Sequence, residues 1–336
     1  MGAERGTTPL DEAARTDEQS ARWLAALEDP GIAPVRAELP PVDDLPDVLL
    51  GLAVPHEAVA ELLALRDRFD RDPSARLLLE RAVAGLLHRP DEIGEGIAPQ
   101  TLPTGDDPLG RCFPIFVYLA ALPHTRALHR ARGIEDEVSR ASLADLGRQI
   151  AVHRRRHGET GTTPPGWCSL AFRGELYQLG RLQFQRAQLL EGLAPFVIEA
   201  GLASDPTDLC ASLHIPDFRG PLSPDVCDRS LERARSFFAR HYPEERYRTA
   251  ACSSWLLDTQ LRTRLRPGSN IVRFQERFRF GPPDSEPDDQ SPVAFVFGDP
   301  TVPWDELPRR TSVERAIGDH LRSGGHWYHG RGWFPL

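Results

Sequence analysis

No lysine occurs anywhere in the 336 residues, so all 40 basic side chains are arginine. That excludes a Schiff-base lysine, a pyridoxal-phosphate anchor and the lysine of a phosphate-binding P-loop. Cysteine is sparse and odd in number: Cys112, Cys168, Cys210, Cys227 and Cys252 are widely spaced and form no C-x-x-C. Such a pattern reads as a reduced chain without a disulfide framework. No apolar run approaches the ~20 residues of a membrane span, and no basic segment followed by an apolar one opens the chain. The expectation is a soluble, cytoplasmic protein with no membrane partner. His153 and His157 are four apart, but Arg154, Arg155 and Arg156 between them would repel a metal, and His326 and His329 read as solvated in the same way. No metal is expected. The dinucleotide fingerprint, the G-x-S-x-G elbow and H-E-x-x-H are absent as well.

Basic charge is also in deficit: 40 arginines stand against 49 acidic residues, a net of −9, with eleven Asp/Glu and four Arg in residues 1–50 alone. Proteins that bind DNA usually carry a net basic surface to replace phosphate counterions, so no DNA partner is expected. A hydrophobic content of 40% over this length supports two cores.

Residues 1–40 read as an acidic, flexible lead-in with a short helical candidate around Trp23–Leu27, and 41–160 as an all-helical domain. His56–Phe69 carries an apolar stripe, Asp72-Pro73 opens a second helix reaching Leu87, Phe113–Leu122 must be buried, and Ser139–His157 reads as one long helix. The Gly- and Pro-rich segment 158–166 marks a break. Beyond it Leu176–Phe184, Cys210–Ile215, Tyr247–Leu257 and Val293–Phe297 have strand character. Ser223-Pro224, Gly268-Ser269-Asn270 and the Thr311/Glu314 capping box open helices between them. Residues 165–336 are therefore a second, α/β domain with a partly parallel sheet.

The strings LYQLGRLQF, SLHIPDFRGPLSPDVCDRSLERARSFFARHYP, AACSSWLLDTQL and RPGSNIVRFQERF resemble a bacterial family of GNAT-like acyltransferases. That family pairs a helical N-acyltransferase N-terminal domain with a GNAT-like C-terminal domain. The resemblance covers most of 165–335 and extends more weakly over about 45–160. It implies an α+β protein: an all-helical domain, then an α/β acyltransferase domain with a mixed, centrally splayed sheet. It further implies that acyl-CoA lies where two parallel strands part, its pyrophosphate on the amide groups opening the next helix. In this correspondence Tyr247–Leu257 resembles the central strand, Ile271–Phe278 the phosphate-facing helix and Val293–Phe297 the parallel partner. Arg264, Arg266, Gly268, Ser269 and Asn270 then become the phosphate-binding candidates, although LRPGSN has one glycine where the family loop has two and Leu265 where it has Gln or Arg.

Strand alternation supplies the remaining candidates. Cys252, Ser254, Leu256 and Asp258 are expected on one face and Ala251, Ser253, Trp255 and Leu257 on the other, while Cys210, Ser212 and His214 share a face. His214 is the candidate base, since its ordinary pKa near ~6.5 suits work at neutral pH; capping of the strand end is its structural alternative. Ser254 would orient substrate or water, or simply pack. Tyr328 would be the acid, in a position some GNAT enzymes use, or else a tail aromatic. Arg181, Gln183, Trp255 and Asp258 would line the acceptor pocket, with capping, core packing and edge pairing as their structural alternatives. An acyl-Cys252 intermediate is not expected, because no base lies at motif distance. The activity implied is transfer of an acyl group from acyl-CoA to the amine of a small molecule, by direct attack in a ternary complex. Two other readings stay open: a carrier-protein or aminoacyl-tRNA donor, and a catalytically idle binding or scaffold module.

Overall fold

The computed structural model of the chain describes residues 10–90 and 92–336. The first compact unit runs to Leu176 and the second is Tyr177–Leu336.

The first unit is helical: α1 (Leu10–Ala13), α2 (Glu18–Leu27), α3 (Leu45–Gly51), α4 (His56–Asp70), α5 (Pro73–Leu86), α6 (Pro108–Ala131), α7 (Asp136–Leu143), α8 (Asp145–His157) and α9 (Ser169–Phe172). In α4 the buried Ala58, Leu62, Leu65 and Phe69 follow helical spacing. Asp72 opens α5, its carboxylate accepting from the Ser74 and Ala75 amides. Helix α6 buries every residue from Cys112 to Leu122 although Pro114 interrupts its ladder. The Gly110 carbonyl, left without its i+4 donor by Pro114, accepts from the Leu102 amide at 3.1 Å.

Three expectations are corrected here. Within the expected flexible lead-in of 1–40, the described residues form α1 and α2; residues 1–9 lie outside the described residues. Trp23, Leu24 and Leu27 recur at helical spacing, turn away from the acidic face of α2, and join the core beside Phe113. The expected single helix over 139–157 is two helices meeting at Ala144, where the buried Asp145 accepts from Trp167 Nε1 at 2.7 Å. Residues 158–166 lie inside the first unit, since Arg111 donates to the Thr160 carbonyl and Tyr118 to that of Pro165, both at 2.7 Å.

His153, 6% exposed on α8, bonds Thr163 Oγ1 through Nδ1 and has no partner at Nε2. Burial, then the neighbouring His157, Arg111 and Arg156, push its pKa down to about 4. The unfolded value is ~6.5, so the unfolded chain takes up the proton first and stability falls as pH drops from ~6.5 towards 4. Urea midpoints measured across that window are expected to decline, and His153→Gln to remove this component; an unchanged slope in the variant would refute the assignment.

The second unit contains one six-stranded sheet in the order β1-β2-β3-β4-β6-β5. Its strands are β1 (Leu176–Leu179), β2 (Leu182–Gln188), β3 (Leu209–His214), β4 (Thr249–Ser254), β5 (Arg279–Phe280) and β6 (Gly330–Pro335). Around it lie α10 (Ala194–Glu199), α11 (Pro224–His241), α12 (Leu261–Arg264), α13 (Asn270–Gln275), α14 (Gln290–Phe297) and α15 (Ser312–Arg322). The Thr311/Glu314 capping box opens α15 as its sequence indicates.

The sheet also differs from expectation in three places. Leu176–Phe184 is a hairpin rather than one strand, because Gly180 takes φ +84° and turns β1 into β2. β4 ends at Ser254, whose Oγ accepts from the Leu256 amide at 3.1 Å and starts a 3-10 turn over Trp255–Leu257. Val293–Phe297 is helical, not a strand: Pro292 sits in the first turn of α14 and Gly298 ends it at φ +96°. A short apolar run does not distinguish a strand from a buried helical segment.

Candidate active site

The parallel pair at the centre of the sheet is β3 with β4, joined through α11. Its ladder pairs Ala211 with Ala250 and Ser212 with Ala251, while β3 runs on to His214 and β4 to Ser254. The two strands therefore part towards their carboxyl ends, where open α/β sheets place ligands. β2 and β6 flank the pair, both antiparallel to their neighbour.

Register fixes which side chains share a face, because directly paired residues point the same way. Gln183 opposes His214, Gln185 opposes Ser212, Ser212 opposes Ala251, and Ser253 opposes Arg331. One half of this face is apolar, where Leu189, Leu193 and Val197 cover Cys210, Ala251 and Trp333. The other half carries Gln183, Gln185, Ser212, His214, Ser253 and Arg331. Here His214 Nε2 lies 2.9 Å from Gln185 Oε1. Gln183 is 2% exposed and its amide nitrogen has no partner. Ser253 is exposed, and Arg331 pairs with Asp284.

Helix α11 begins with Ser223 in extended conformation and Pro224 at the first position, and it packs on β2. At its amino-terminal half lies a groove of roughly 530 Å3 lined by Arg181, Arg219, Arg229, Arg233 and Phe218. The β1–β2 turn is tied to this end: Arg181 N–H donates to Ser230 Oγ and Arg181 Nε to the Gly220 carbonyl, both at 2.8 Å, and Arg219 donates to the Gly180 carbonyl. Arg229 and Arg233 are exposed, one turn apart, with no ion-pair partner among the described residues. Like charges at that spacing oppose each other slightly, a cost that a bound polyanion would reverse.

The residues expected from sequence are distributed differently. His214 and Gln183 do come together. Ser254 lies on the opposite face and caps the 3-10 turn; it is Ser253 that faces the His214 side. Trp255 is 5% exposed and packs on Phe295, so it is core rather than pocket wall. Asp258 is buried; its carboxylate accepts from the Gln260 amide and from the Tyr328 backbone N–H, both at 2.9 Å. Tyr328 itself is half-buried, two residues before the Gly330 that opposes Ser254. Arg181 lines the arginine groove.

Arg264, Arg266, Gly268 and Ser269 precede the six-residue α13, and Asn270 is its first residue. Arg264 donates to His320 Nδ1, Gly268 takes φ +77°, and Ser269 Oγ accepts from the Val272 amide at 3.4 Å as a plain cap. The strand expected to follow them is α14, so the strand–helix–strand unit with parallel strands is β3–α11–β4, one step earlier in the chain. Sequence reasoning passed over Gln185, Arg219, Arg229, Arg233 and Ser253. The available signal was CASLHI followed by a glycine, Ser-Pro and a helix with R-x-x-x-R, which is a strand running into an anion-binding helix start.

Cys252 is 1% exposed on the face away from His214, and burial pushes its thiol up to about 12, which disfavours a thiolate nucleophile. Among the described residues no group of His, Cys, Asp and Glu is placed to hold a metal ion, and no helix is long and apolar enough to cross a membrane.

Residues 43–174 match the N-acyltransferase N-terminal domain and residues 176–334 the GNAT-like C-terminal domain. No curated protein matches the chain. Among solved structures, an acyltransferase in complex with decanoyl-CoA is 37% identical, with 97% of this chain and 98% of that one covered and a TM-score of 0.85. An acyltransferase in complex with decanoyl-CoA and teicoplanin is 34% identical over 98% of this chain and 100% of that one, again with a TM-score of 0.85. A mutant acyltransferase in complex with octanoyl-CoA is 36% identical over 96% and 97%, also at 0.85. The chain belongs to the acyltransferase family in which an N-acyltransferase N-terminal domain precedes a GNAT-like C-terminal domain.

Proposed function

We propose that the protein transfers an acyl group from acyl-CoA to the amine of a small molecule. The observation that carries this reading is the parting of β3 and β4 beside the arginine-lined start of α11. Phosphates of CoA would lie against Arg181, Arg219, Arg229 and Arg233, guanidinium groups suited to phosphate oxygens. The pantetheine arm would enter the gap between the strands and present the thioester to the face bearing His214. The similar structures holding octanoyl-CoA and decanoyl-CoA support a medium-chain donor over a carrier protein or aminoacyl-tRNA, and over an idle scaffold. The one holding teicoplanin makes a glycopeptide amine the first acceptor to test.

In this reading the amine lone pair attacks the thioester carbonyl carbon and forms the C–N bond. His214 accepts the proton that the nitrogen loses. The unpartnered Gln183 amide donates to the carbonyl oxygen as it becomes an oxyanion. The C–S bond then breaks, and the CoA thiolate leaves with a proton from the Tyr328 hydroxyl, which regains one from His214 through solvent. Asp258 holds the Tyr328 backbone in place for that step.

Thermal unfolding with free CoA, acetyl-CoA and decanoyl-CoA tests the donor. A ligand present at 100 times its Kd adds about 2.7 kcal/mol to stability. The expected result is a shift that grows with chain length. Arg229→Ser and Arg233→Ser are each expected to weaken decanoyl-CoA about tenfold or more, since a hydrogen bond to a charged group contributes roughly 1.5–3 kcal/mol. No shift with any CoA species would overturn the donor assignment. Mass spectrometry of teicoplanin incubated with enzyme and decanoyl-CoA would show whether an amine gains the acyl mass.

A further inference from the structure

Asp289 stands at the cap position of α14, yet its carboxylate makes no bond to that helix. An aspartate at a helix start ordinarily spends its side chain on the first amides of its own helix. Here its neighbour does so, Asp288 Oδ1 accepting from the Ser291 amide at 3.0 Å. Asp289 reaches instead to the stretch before β6: Oδ1 accepts from the Trp327 backbone N–H at 2.8 Å, and Oδ2 lies 2.7 Å from His326 Nδ1. The next amide, that of Tyr328, donates to Asp258. Two consecutive backbone N–H groups therefore go to two carboxylates from separate parts of the chain, and hydrogen bonds to a charged acceptor are the stronger kind.

The remaining ties close on the same residues. The His326 carbonyl accepts from Gln260 Nε2 at 2.9 Å and lies 3.1 Å from His320 Nε2, and the Trp327 carbonyl accepts from the Asp288 amide at 2.8 Å. The Trp327 side chain is fully buried. Tyr328 is half-buried by contrast, and its hydroxyl makes no hydrogen bond among the described residues. A backbone held at successive groups, with a hydroxyl left unspent at its end, is how a site keeps a reacting group in place by its supporting shell. We infer that Asp289 is a positioning residue for Tyr328, forming with Asp258 a two-carboxylate clamp that fixes where the Tyr328 hydroxyl stands when the thiolate leaves. That role rests on Tyr328 being the acid of the proposed reaction.

The full-length chain with decanoyl-CoA and teicoplanin supplies the test, read as release of the CoA thiol. Where teicoplanin is not turned over, hydrolysis of decanoyl-CoA by water is followed instead, because it needs the same proton on the same sulfur. Asp289→Ala should lower kcat by about ten- to a hundredfold, as a shift of about 1 Å at a reacting group costs up to ~10²-fold. The affinity for decanoyl-CoA should be unchanged, and the Trp327 amide should exchange with deuterium faster. Since α14 makes no use of the Asp289 carboxylate, that helix should stay formed. Asp289→Asn keeps an oxygen for the Trp327 amide and should recover most of the rate. Where Asp289→Ala does not fold, Asp289→Glu, which sets the carboxylate one methylene further out, should lower kcat in the same sense. In a Tyr328→Phe background Asp289→Ala should cause no further loss. An unchanged kcat in Asp289→Ala, or a loss of equal size with and without the Tyr328 hydroxyl, would overturn the inference. Full kcat in Tyr328→Phe would instead remove the acid assignment; faster exchange in Asp289→Ala would then still support the clamp, and unchanged exchange would overturn it.

Discussion

Replacing His214 with glutamine is expected to lower kcat for acyl transfer by ~10²–10⁴-fold, the range that a positioned general base contributes. The substitution keeps a polar side chain of similar length opposite Gln183, so the ladder between β2 and β3 stays intact. The affinity for decanoyl-CoA should be unchanged, because the groove proposed to hold CoA lies at the start of α11 and not on the His214 face. Single-turnover measurements with saturating donor isolate the chemical step. A loss smaller than threefold would mean that the amine is delivered already deprotonated, or that another group takes its proton.

Arg173→Met is expected to lower the stability of the first unit by about 3–5 kcal/mol, the usual consequence of breaking a buried ion pair from one side. Arg173 and Glu175 are each 2% exposed, and Arg173 Nε donates to Glu175 Oε1 at 2.8 Å. The rest of the guanidinium donates to the carbonyls of Leu86 at 2.7 Å and of His88 and Glu92 at 2.8 Å, which gathers the end of α5 and the loop beyond it. Gly96 is where this group passes closest: a Cβ there would sit 1.9 Å from a guanidinium nitrogen. Methionine fills the volume but leaves the Glu175 carboxylate with only the Gly94 amide, at 3.3 Å, as a donor, and takes the guanidinium donors from these carbonyls. Adding Glu175→Gln to Arg173→Met should restore part of the loss, as the residual charge is then removed. Denaturant midpoints of the two variants check both statements; a single variant within 1 kcal/mol of wild type would show that water reaches the site.

Helices with explicit start signals were legible in the sequence. Asp72-Pro73 and Thr311 with Glu314 each open a helix through side-chain caps, a local interaction within one turn, and Ser223-Pro224 opens one through the extended backbone of Ser223 and the proline at the first position. Val293–Phe297 was not legible, since five apolar residues satisfy either period and only the surrounding packing decides. That one ambiguity placed the expected strand–helix–strand unit around α13, whereas the unit with parallel strands is β3–α11–β4. The pairing of His214 with Gln183 is independent of it, because it depends on β2 and β3 alone. For Ser254 the alternation stops at its own hydroxyl, which turns the backbone into a 3-10 helix. Arg229 and Arg233 look like ordinary solvated helix residues in the sequence, and only the folded turn that brings Arg181 and Arg219 beside them makes a groove.

The cationic side chains of that groove are all guanidinium groups, and this has a chemical consequence. A thioester is an acylating reagent towards any unprotonated amine it meets, and a lysine near its binding site would be a standing target. Guanidinium groups stay protonated throughout the physiological range and are poor nucleophiles. With no lysine in the chain, the α-amino group is the sole primary amine the polypeptide itself can offer to its own donor. The catalyst is thus nearly invisible to its own reagent: self-modification cannot accumulate on its side chains as amides during turnover, and amine-reactive labels will leave the arginines of the groove untouched.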